Sequence, residues 1–154
     1  MGIEIKEIES SELPRGRSKI VLLPTNFAQS PHSREYHSST MSFFKFARGH
    51  LDLDYASEPE TLLEQRSEDW FAPVMLLSNK LITDHPLIVS VICGVISNYL
   101  FAVFKNRPKP QVSLDLICEK TASSSYVRIS YKGNVEGLAE LQEVVRKSIG
   151  TDEQ

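Results

Sequence analysis

The stretch "HPLIVSVICGVISNYLFAVFKNRPKP", residues 85–110, decides the fold because it is the least polar part of the chain. Residues 87–104 carry no charge, and as a helix these 18 residues would extend about 27 Å. That length is close to the roughly 30 Å thickness of a bilayer core. Three bases follow directly, at Lys105, Arg107 and Lys109. The segment is therefore either a membrane-spanning helix with a basic flank or the central helix of a domain core.

The residues that follow the apolar segment favour a core helix. "QVSLDLIC" (111–118) and "YVRISYK" (126–132) alternate apolar and polar residues, which is typical of half-buried strands. The polar link "EKTASSS" between them predicts an antiparallel hairpin. Because a lone hairpin is only marginally stable, its apolar face needs a cover. We predict that helix 87–104 is that cover, and a single-span membrane protein with this helix in the bilayer remains the alternative.

The remaining patterns predict a single α+β domain over residues 1–154. "IEIKEI" (3–8) alternates like an edge strand, "KIVLLPT" (19–25) is a β-branched run ended by proline, and residues 26–40 are a polar loop containing Ser and His. Asn134 is the expected cap of the last helix. A mainly antiparallel sheet is predicted to contain residues 3–8, 19–24, 111–118 and 126–132. Helices are predicted within 58–82, with a break near Pro73, and over 87–104 and 135–149.

The composition and the N-terminal sequence indicate in which compartment the protein acts and which class of partner it does not bind. The net charge of −3 argues against nucleic acid as a partner. No basic segment followed by an apolar one stands at the N-terminus, and the Met-Gly start lacks the Ser or Thr that favours myristoylation. We therefore predict a cytoplasmic protein, with membrane attachment through 87–104 as the alternative. Cys93 and Cys118 lie in apolar runs and are predicted to be buried thiols.

No catalytic motif is present in the sequence. It contains no G-x-S-x-G, no Gly-rich phosphate loop and no H-E-x-x-H. His32 and His37 flank a glutamate in a polar loop, and Asp52 with Asp54 forms a D-x-D pair within an acidic stretch. These groups are more typical of solvated surface than of a metal site, so we predict no catalytic residue, no metal and no cofactor. A metal-dependent hydrolase or nuclease that uses such carboxylates and histidines is the second alternative.

Four residues are the candidate contacts for a protein partner. Trp70 and Phe71 follow the acidic segment 52–69, and aromatic anchors are enriched in interfaces. Arg128 and Lys132 lie on the polar face of the second hairpin strand. For Trp70, packing in the core is the alternative interpretation.

The order of elements in residues 85–149 resembles that of a known class of proteins. An apolar helix, a Lys/Pro turn, two alternating strands, "GNVEGLAEL" and a short helix follow each other. This order is similar to that of the effector-associated proteins, small accessory components encoded beside effectors in bacterial conflict and defence systems. The resemblance implies a non-catalytic adaptor or sensor subunit whose partner is a neighbour-encoded effector. We add self-association as a further expectation.

Overall fold

The computed structural model describes residues 2–9, 18–27, 35–59, 61–63, 69–106, 108, 110–120 and 125–149. The strands are β1 (Gly2–Glu9), β2 (Ile20–Leu23), β3 (Glu35–His37), β4 (Leu53–Tyr55), β5 (Thr61–Leu63), β6 (Trp70–Phe71), β7 (Val74–Leu77), β8 (Val112–Glu119) and β9 (Ser125–Gly133). The helices are α1 (Ser39–Ala47), α2 (Asn79–Asp84), α3 (Ile88–Val103) and α4 (Leu141–Ser148), with a 3₁₀ helix (Val135–Glu140) before α4. The predicted α+β class is confirmed.

One mixed sheet holds seven of these strands in the order β1-β9-β8-β7-β2-β4, with β6 pairing beside β7 on β8. The two longest pairings, β1 with β9 and β8 with β9, are antiparallel over eight residues each. β7 pairs parallel with β8 and antiparallel with β2. Two further strands, β3 and β5, form a small parallel sheet. The predicted hairpin is confirmed, and it forms one end of the sheet together with β1.

The two faces of the main sheet have different covers. The helices share one core with the apolar face of β8 and β9, where Leu114, Leu116 and Ile129 are almost completely buried. On the opposite face a smaller apolar cluster includes Val21, Leu76 and Ile117. Beyond that cluster, the second face of the β1-β9-β8 end is polar. The alternation of side chains along each strand therefore separates a core face from a polar face.

Helix α3 is the cover that the hairpin requires. Seven of its side chains are buried: Val89, Ile92, Cys93, Val95, Ile96, Tyr99 and Leu100. Its first turn has no side-chain cap of its own. Gln142 of α4 takes that role, since its Oε1 accepts from the Ser90 amide at 2.9 Å and its Nε2 donates to the Pro86 carbonyl at 2.9 Å. The apolar segment is thus tied to the C-terminal helix as well as to the sheet.

Among the helices in the described part of the chain, none combines the length and the apolar character that crossing a bilayer would require.

The helix predicted over 58–82 is wrong. In its place the chain forms β5, β6 and β7, and only α2 (Asn79–Asp84) is helical; Glu60 and residues 64–68 lie outside the described residues. All four side chains of Val74–Leu77 are buried because β7 lies inside the sheet with apolar clusters on both faces. Ser78 then begins α2 by accepting a hydrogen bond from the Leu81 amide at 3.0 Å. The apolar run therefore belongs to a doubly buried strand.

The predicted C-terminal helix over 135–149 is present in two parts. Asn134 caps it as expected, since its side-chain oxygen accepts from the Gly137 amide at 2.9 Å. The first turns are 3₁₀, and α4 continues to Ser148. A Cβ at Gly137 would overlap the Tyr131 hydroxyl, so a larger residue there would have to displace that side chain. That hydroxyl donates to the Asn134 carbonyl at 2.6 Å, which ties the helix start to β9.

The polar loop predicted over 26–40 is only partly a loop. Residues 35–37 form β3, which pairs with β5, and α1 begins at Ser39. Residues 28–34 lie outside the described residues. Tyr36 anchors the segment, since its hydroxyl donates to the Ser57 carbonyl at 2.9 Å.

Candidate functional site

A cleft of about 580 Å³ opens at the β1 end of the sheet, on its polar side. We call it the edge cleft. It is lined by Gly2, Ile3, Glu4, Phe71, Ser113, Leu114, Asp115, Arg128, Ser130, Tyr131 and Lys132. Three of the four residues predicted as partner contacts, Phe71, Arg128 and Lys132, line this single cleft. The sheet brings them together because β6 and β9 both pair with β8.

Asp115 is the polar centre of the edge cleft. It stands opposite Ser130 in the β8–β9 register, and Ser130 donates a hydrogen bond to its Oδ1. Its Oδ2 accepts from Arg128 Nη2 at 3.2 Å. The guanidinium also lies over the ring of Phe27, 5.4 Å from the ring centroid. Asp115 therefore fixes the orientation of Arg128 and Ser130, while the partly exposed ion pair adds little stability of its own.

An aromatic pair lies beside this polar centre. The His37 ring, on β3, lies 5.0 Å from the Phe71 ring, centroid to centroid. Burial lowers the pKa of His37 below its usual range, and the negative charge of Asp115 opposes that shift only in part. His37 is therefore neutral near pH 7. Both residues are half-buried, and their rings are inclined at 38° to each other, so the pair offers ring surface to an apolar or aromatic side chain.

The bases of the hairpin do not accumulate into a basic patch. Lys132 Nζ lies 3.9 Å from Asp69 Oδ2, and Lys120 Nζ lies 3.0 Å from Glu7 Oε2. Arg128 is paired with Asp115, as described above. Each base thus has a carboxylate beside it, which reduces the attraction for a polyanion. Lys132 is the most exposed of the three, with 60% of its side chain accessible.

Trp70, proposed from the sequence as a partner contact, lies in the core. Its ring is buried between Phe43 and Tyr99, with centroid distances of 5.5 and 5.6 Å. Successive residues of β6 point to opposite sides of the sheet, which puts Phe71 in the edge cleft and Trp70 under the helices. The burial of Trp70 agrees with the alternative interpretation, in which this residue packs in the core.

The described residues considered for a metal site are not grouped as ligands. Asp52 and Asp54 both face Lys19, with Nζ–carboxylate distances of 3.8 and 3.6 Å. His37 lies against Phe71 beside the edge cleft, and His32 lies outside the described residues. Among the residues that the structure describes, no three His, Cys, Asp or Glu side chains come together as metal ligands.

The two cysteines are buried and unpaired by any disulfide, as predicted. Burial raises the pKa of the Cys93 thiol and of the Cys118 thiol to about 12. Both thiols therefore stay protonated at neutral pH, and the thiolate is the reactive form. Neither cysteine lines the edge cleft.

This protonation predicts slow thiol chemistry in the native protein. At pH 8, we expect 5,5′-dithiobis(2-nitrobenzoic acid) to label neither cysteine on the timescale of free cysteine, and to label both after unfolding in guanidinium chloride. Absorbance of the released thiolate at both conditions measures this. Rapid labelling of either residue in the native protein would mean that its burial is wrong.

Comparisons with protein-family models, with curated proteins and with solved structures found no protein similar to this chain. The site is therefore interpreted from its own residues. Asp115 and Ser130 line it and were not identified from the sequence as site residues, and His37, considered there only as a metal ligand, lies beside it against Phe71. The alternation of 111–118 does put Asp115 on the polar face, but its contact with Ser130 follows only from the strand register.

Proposed function

We propose that this chain is a non-catalytic accessory protein of the cytoplasm that binds another protein by accepting an extended segment at β1 and the edge cleft. The observation that carries the proposal is that Phe71, Arg128 and Lys132 line one cleft beside the end strand of the sheet. The resemblance of residues 85–149 to effector-associated proteins makes a neighbour-encoded effector of a bacterial defence system the first partner to test.

The free edge of β1 supports the mode of binding. β1 pairs with β9 along all eight residues, and among the described strands none pairs with its other edge. An unpaired edge presents main-chain donors and acceptors to which an extended segment can add as a further strand. Ile5, in the middle of β1, is exposed and would lie against such a segment.

The lining of the edge cleft supports a particular chemistry for that segment. The paired rings of His37 and Phe71 favour an apolar or aromatic side chain. Lys132 stands opposite Gly2 in the register, at the start of β1, and favours a carboxylate there. Gly2 contributes no side chain, so the cleft stays open at this point. The expected partner segment is therefore extended, with an aromatic and an acidic side chain.

The state of the polar groups supports a binding role over catalysis. Asp115 is engaged by both Arg128 and Ser130, so its carboxylate is not poised as a general base. Ser130 donates to Asp115 and has no histidine as its hydrogen-bond partner in the described contacts. These groups are arranged to hold each other in place, which suits a preformed recognition surface.

The experiment is co-purification of the chain with each product of the neighbouring genes, co-expressed one at a time. The neighbour that co-purifies with the unsubstituted chain is expected to bind Lys132→Glu about tenfold more weakly or worse, because the substitution opposes a carboxylate with a carboxylate. Binding is measured by titration calorimetry with the purified proteins.

Lys147→Glu on α4 is the matched control. Lys147 is 65% exposed and has a carboxylate, that of Glu143, 3.8 Å away, much as Lys132 has Asp69. It is expected to bind the neighbour normally. A benzophenone side chain introduced at Ile5 should also crosslink to the neighbour, whereas one at Met41 on α1 should not. Equal binding by the two lysine variants, or the absence of any co-purifying neighbour, would refute the proposal.

A further inference from the structure

Helix α3 has a second face, which points away from the sheet and carries no charge. Its exposed residues are Leu87, Ser90, Val91, Gly94, Asn98, Phe101 and Ala102. They recur at intervals of three and four residues and so form one continuous stripe, the outer stripe of α3. An exposed helix face normally carries charged side chains, as α4 does with Glu143, Arg146 and Lys147. An uncharged stripe of this length indicates a contact surface.

The N-terminal end of the outer stripe borders an apolar groove. The groove has a volume of about 520 Å³, and its walls include Ile20, Leu51, Leu81 and Val91. Leu87, of which 65% is exposed, stands at its rim. Asp52 and Asp84 also line it, and each has a lysine nearby: Lys19 Nζ lies 3.8 Å from Asp52, and Lys80 Nζ lies 3.2 Å from Asp84.

The C-terminal end of the outer stripe has the complementary features. Phe101 projects from α3 with 62% of its surface exposed, and Lys105 is exposed one turn later. Lys105 has no carboxylate within ion-pair distance among the described residues. One end of the stripe therefore offers an apolar groove with two carboxylates at its rim, each beside a lysine, and the other end offers an aromatic side chain followed by a base.

Gly94 lies midway between these ends. Leu87 precedes it by seven residues and Phe101 follows it by seven, which is about two turns or about 10 Å in each direction. Among the described residues, a Cβ on Gly94 would meet no atom within 4 Å outside the adjoining backbone of α3. A glycine inside a helix lowers stability by about 1 kcal/mol relative to alanine. Its own fold does not require this glycine, whereas the close approach of a second helix would.

We propose that the outer stripe binds a second copy of this chain, with two α3 helices crossing antiparallel at Gly94. A two-fold axis through Gly94 brings Phe101 of each copy to the groove beside Leu87 of the other. The same axis brings Lys105 of each copy to Asp84 of the other, where it would share that carboxylate with Lys80. Apolar shape and charge both become complementary under this one operation, which is the requirement for an isologous dimer. The surface is separate from β1 and the edge cleft, so the dimer does not depend on the proposed function.

Sedimentation equilibrium of the isolated full chain tests the dimer without any partner protein. The unsubstituted chain is expected to have twice the monomer mass of 17.4 kDa in the micromolar range. Phe101→Glu should weaken dimerisation about a hundredfold or more, since an aromatic anchor is lost at both ends of the interface. Val103→Glu is the matched control, because Val103 is an exposed apolar residue of α3 outside the stripe. It should leave the dimer intact.

Charge exchange tests the antiparallel arrangement. Asp84→Lys alone and Lys105→Glu alone should each weaken self-association about tenfold, because like charges then meet at both ends. The double variant should regain the unsubstituted affinity. Circular dichroism checks that every variant is folded.

Three results would overturn the dimer. The first is a chain that stays monomeric throughout the micromolar range. The second is an equal effect of Phe101→Glu and Val103→Glu. The third is a monomer that binds phosphatidylglycerol vesicles and loses that binding in Phe101→Glu, since the stripe would then contact lipid instead of a second copy.

Discussion

Phe43→Ala is expected to lower the free energy of unfolding by about 3–5 kcal/mol, the range for truncating a large buried aromatic side chain. Phe43 is fully buried on α1, and its ring centroid lies 5.5 Å from that of Trp70 and 5.2 Å from that of Tyr99. The substitution removes both ring contacts and leaves a cavity between α1, α3 and β6. Urea denaturation followed by fluorescence measures the change, and Trp70 is the single tryptophan and hence the reporter.

Met41→Ala on the same helix is the control for this effect. Met41 is exposed, so its truncation is expected to change the free energy of unfolding by no more than about 0.5 kcal/mol. The comparison keeps helix and loop context constant and varies only burial. If both variants lost the same small amount, the packing of α1 against Trp70 and Tyr99 would be wrong.

Local patterns were sufficient to predict the hairpin and its cover. The predicted strands 111–118 and 126–132 correspond to β8 and β9, and the predicted helix 87–104 corresponds to α3. These elements are consecutive in the chain, and each of the two strands has one buried and one polar face. The spacing of apolar residues in the strands therefore indicated which of their faces is buried. Where neighbours in sequence are also neighbours in space, the sequence alone predicts the packing.

The segment 58–82 shows where this approach fails. β7 lies between β2 and β8, which are distant in sequence, and it is buried on both faces. Val74–Leu77 consequently shows no period of two, and a short apolar run can equally belong to a helix. Leu81 and Ile82 made the apolar stripe predicted for a helix through Met75–Leu77 look longer. They belong to a separate helix, α2, which begins after the Ser78 cap. Only long-range pairing distinguishes the two structures, and no local pattern contains it.

The edge cleft could be predicted from the sequence only in part. Arg128 and Lys132 were identified from the polar face of a predicted strand, and Phe71 was identified as an aromatic residue that follows the acidic segment 52–69. Asp115 joins them through the β8–β9 register. His37 joins them through β3, whose pairing with β5 was not visible in the polar loop. Sequence alternation thus predicts on which side of a strand a residue lies, whereas the meeting of residues from different strands depends on register and topology.

Leu100→Glu is expected to lower the free energy of unfolding by more than about 4 kcal/mol at pH 7, enough to unfold many domains of this size. Leu100 is fully buried on the sheet-facing side of α3. A carboxylate there would be removed from water without a partner, and its pKa would be raised. Because the neutral acid is tolerated better, the loss relative to the unsubstituted chain should shrink as the pH falls toward about 4.3. Urea denaturation at both pH values measures this.

The control is Val103→Glu, three residues further along the same helix and exposed. It keeps the added charge and the helix constant, so the difference between the variants reports burial alone. Its free energy of unfolding is expected to lie within about 0.5 kcal/mol of that of the unsubstituted chain, and this difference should not change with pH. All samples need one protein concentration, because dimerisation would otherwise add to the apparent stability. Equal stability of the two variants would mean that Leu100 does not face the hairpin, and the hairpin would then need a cover other than α3.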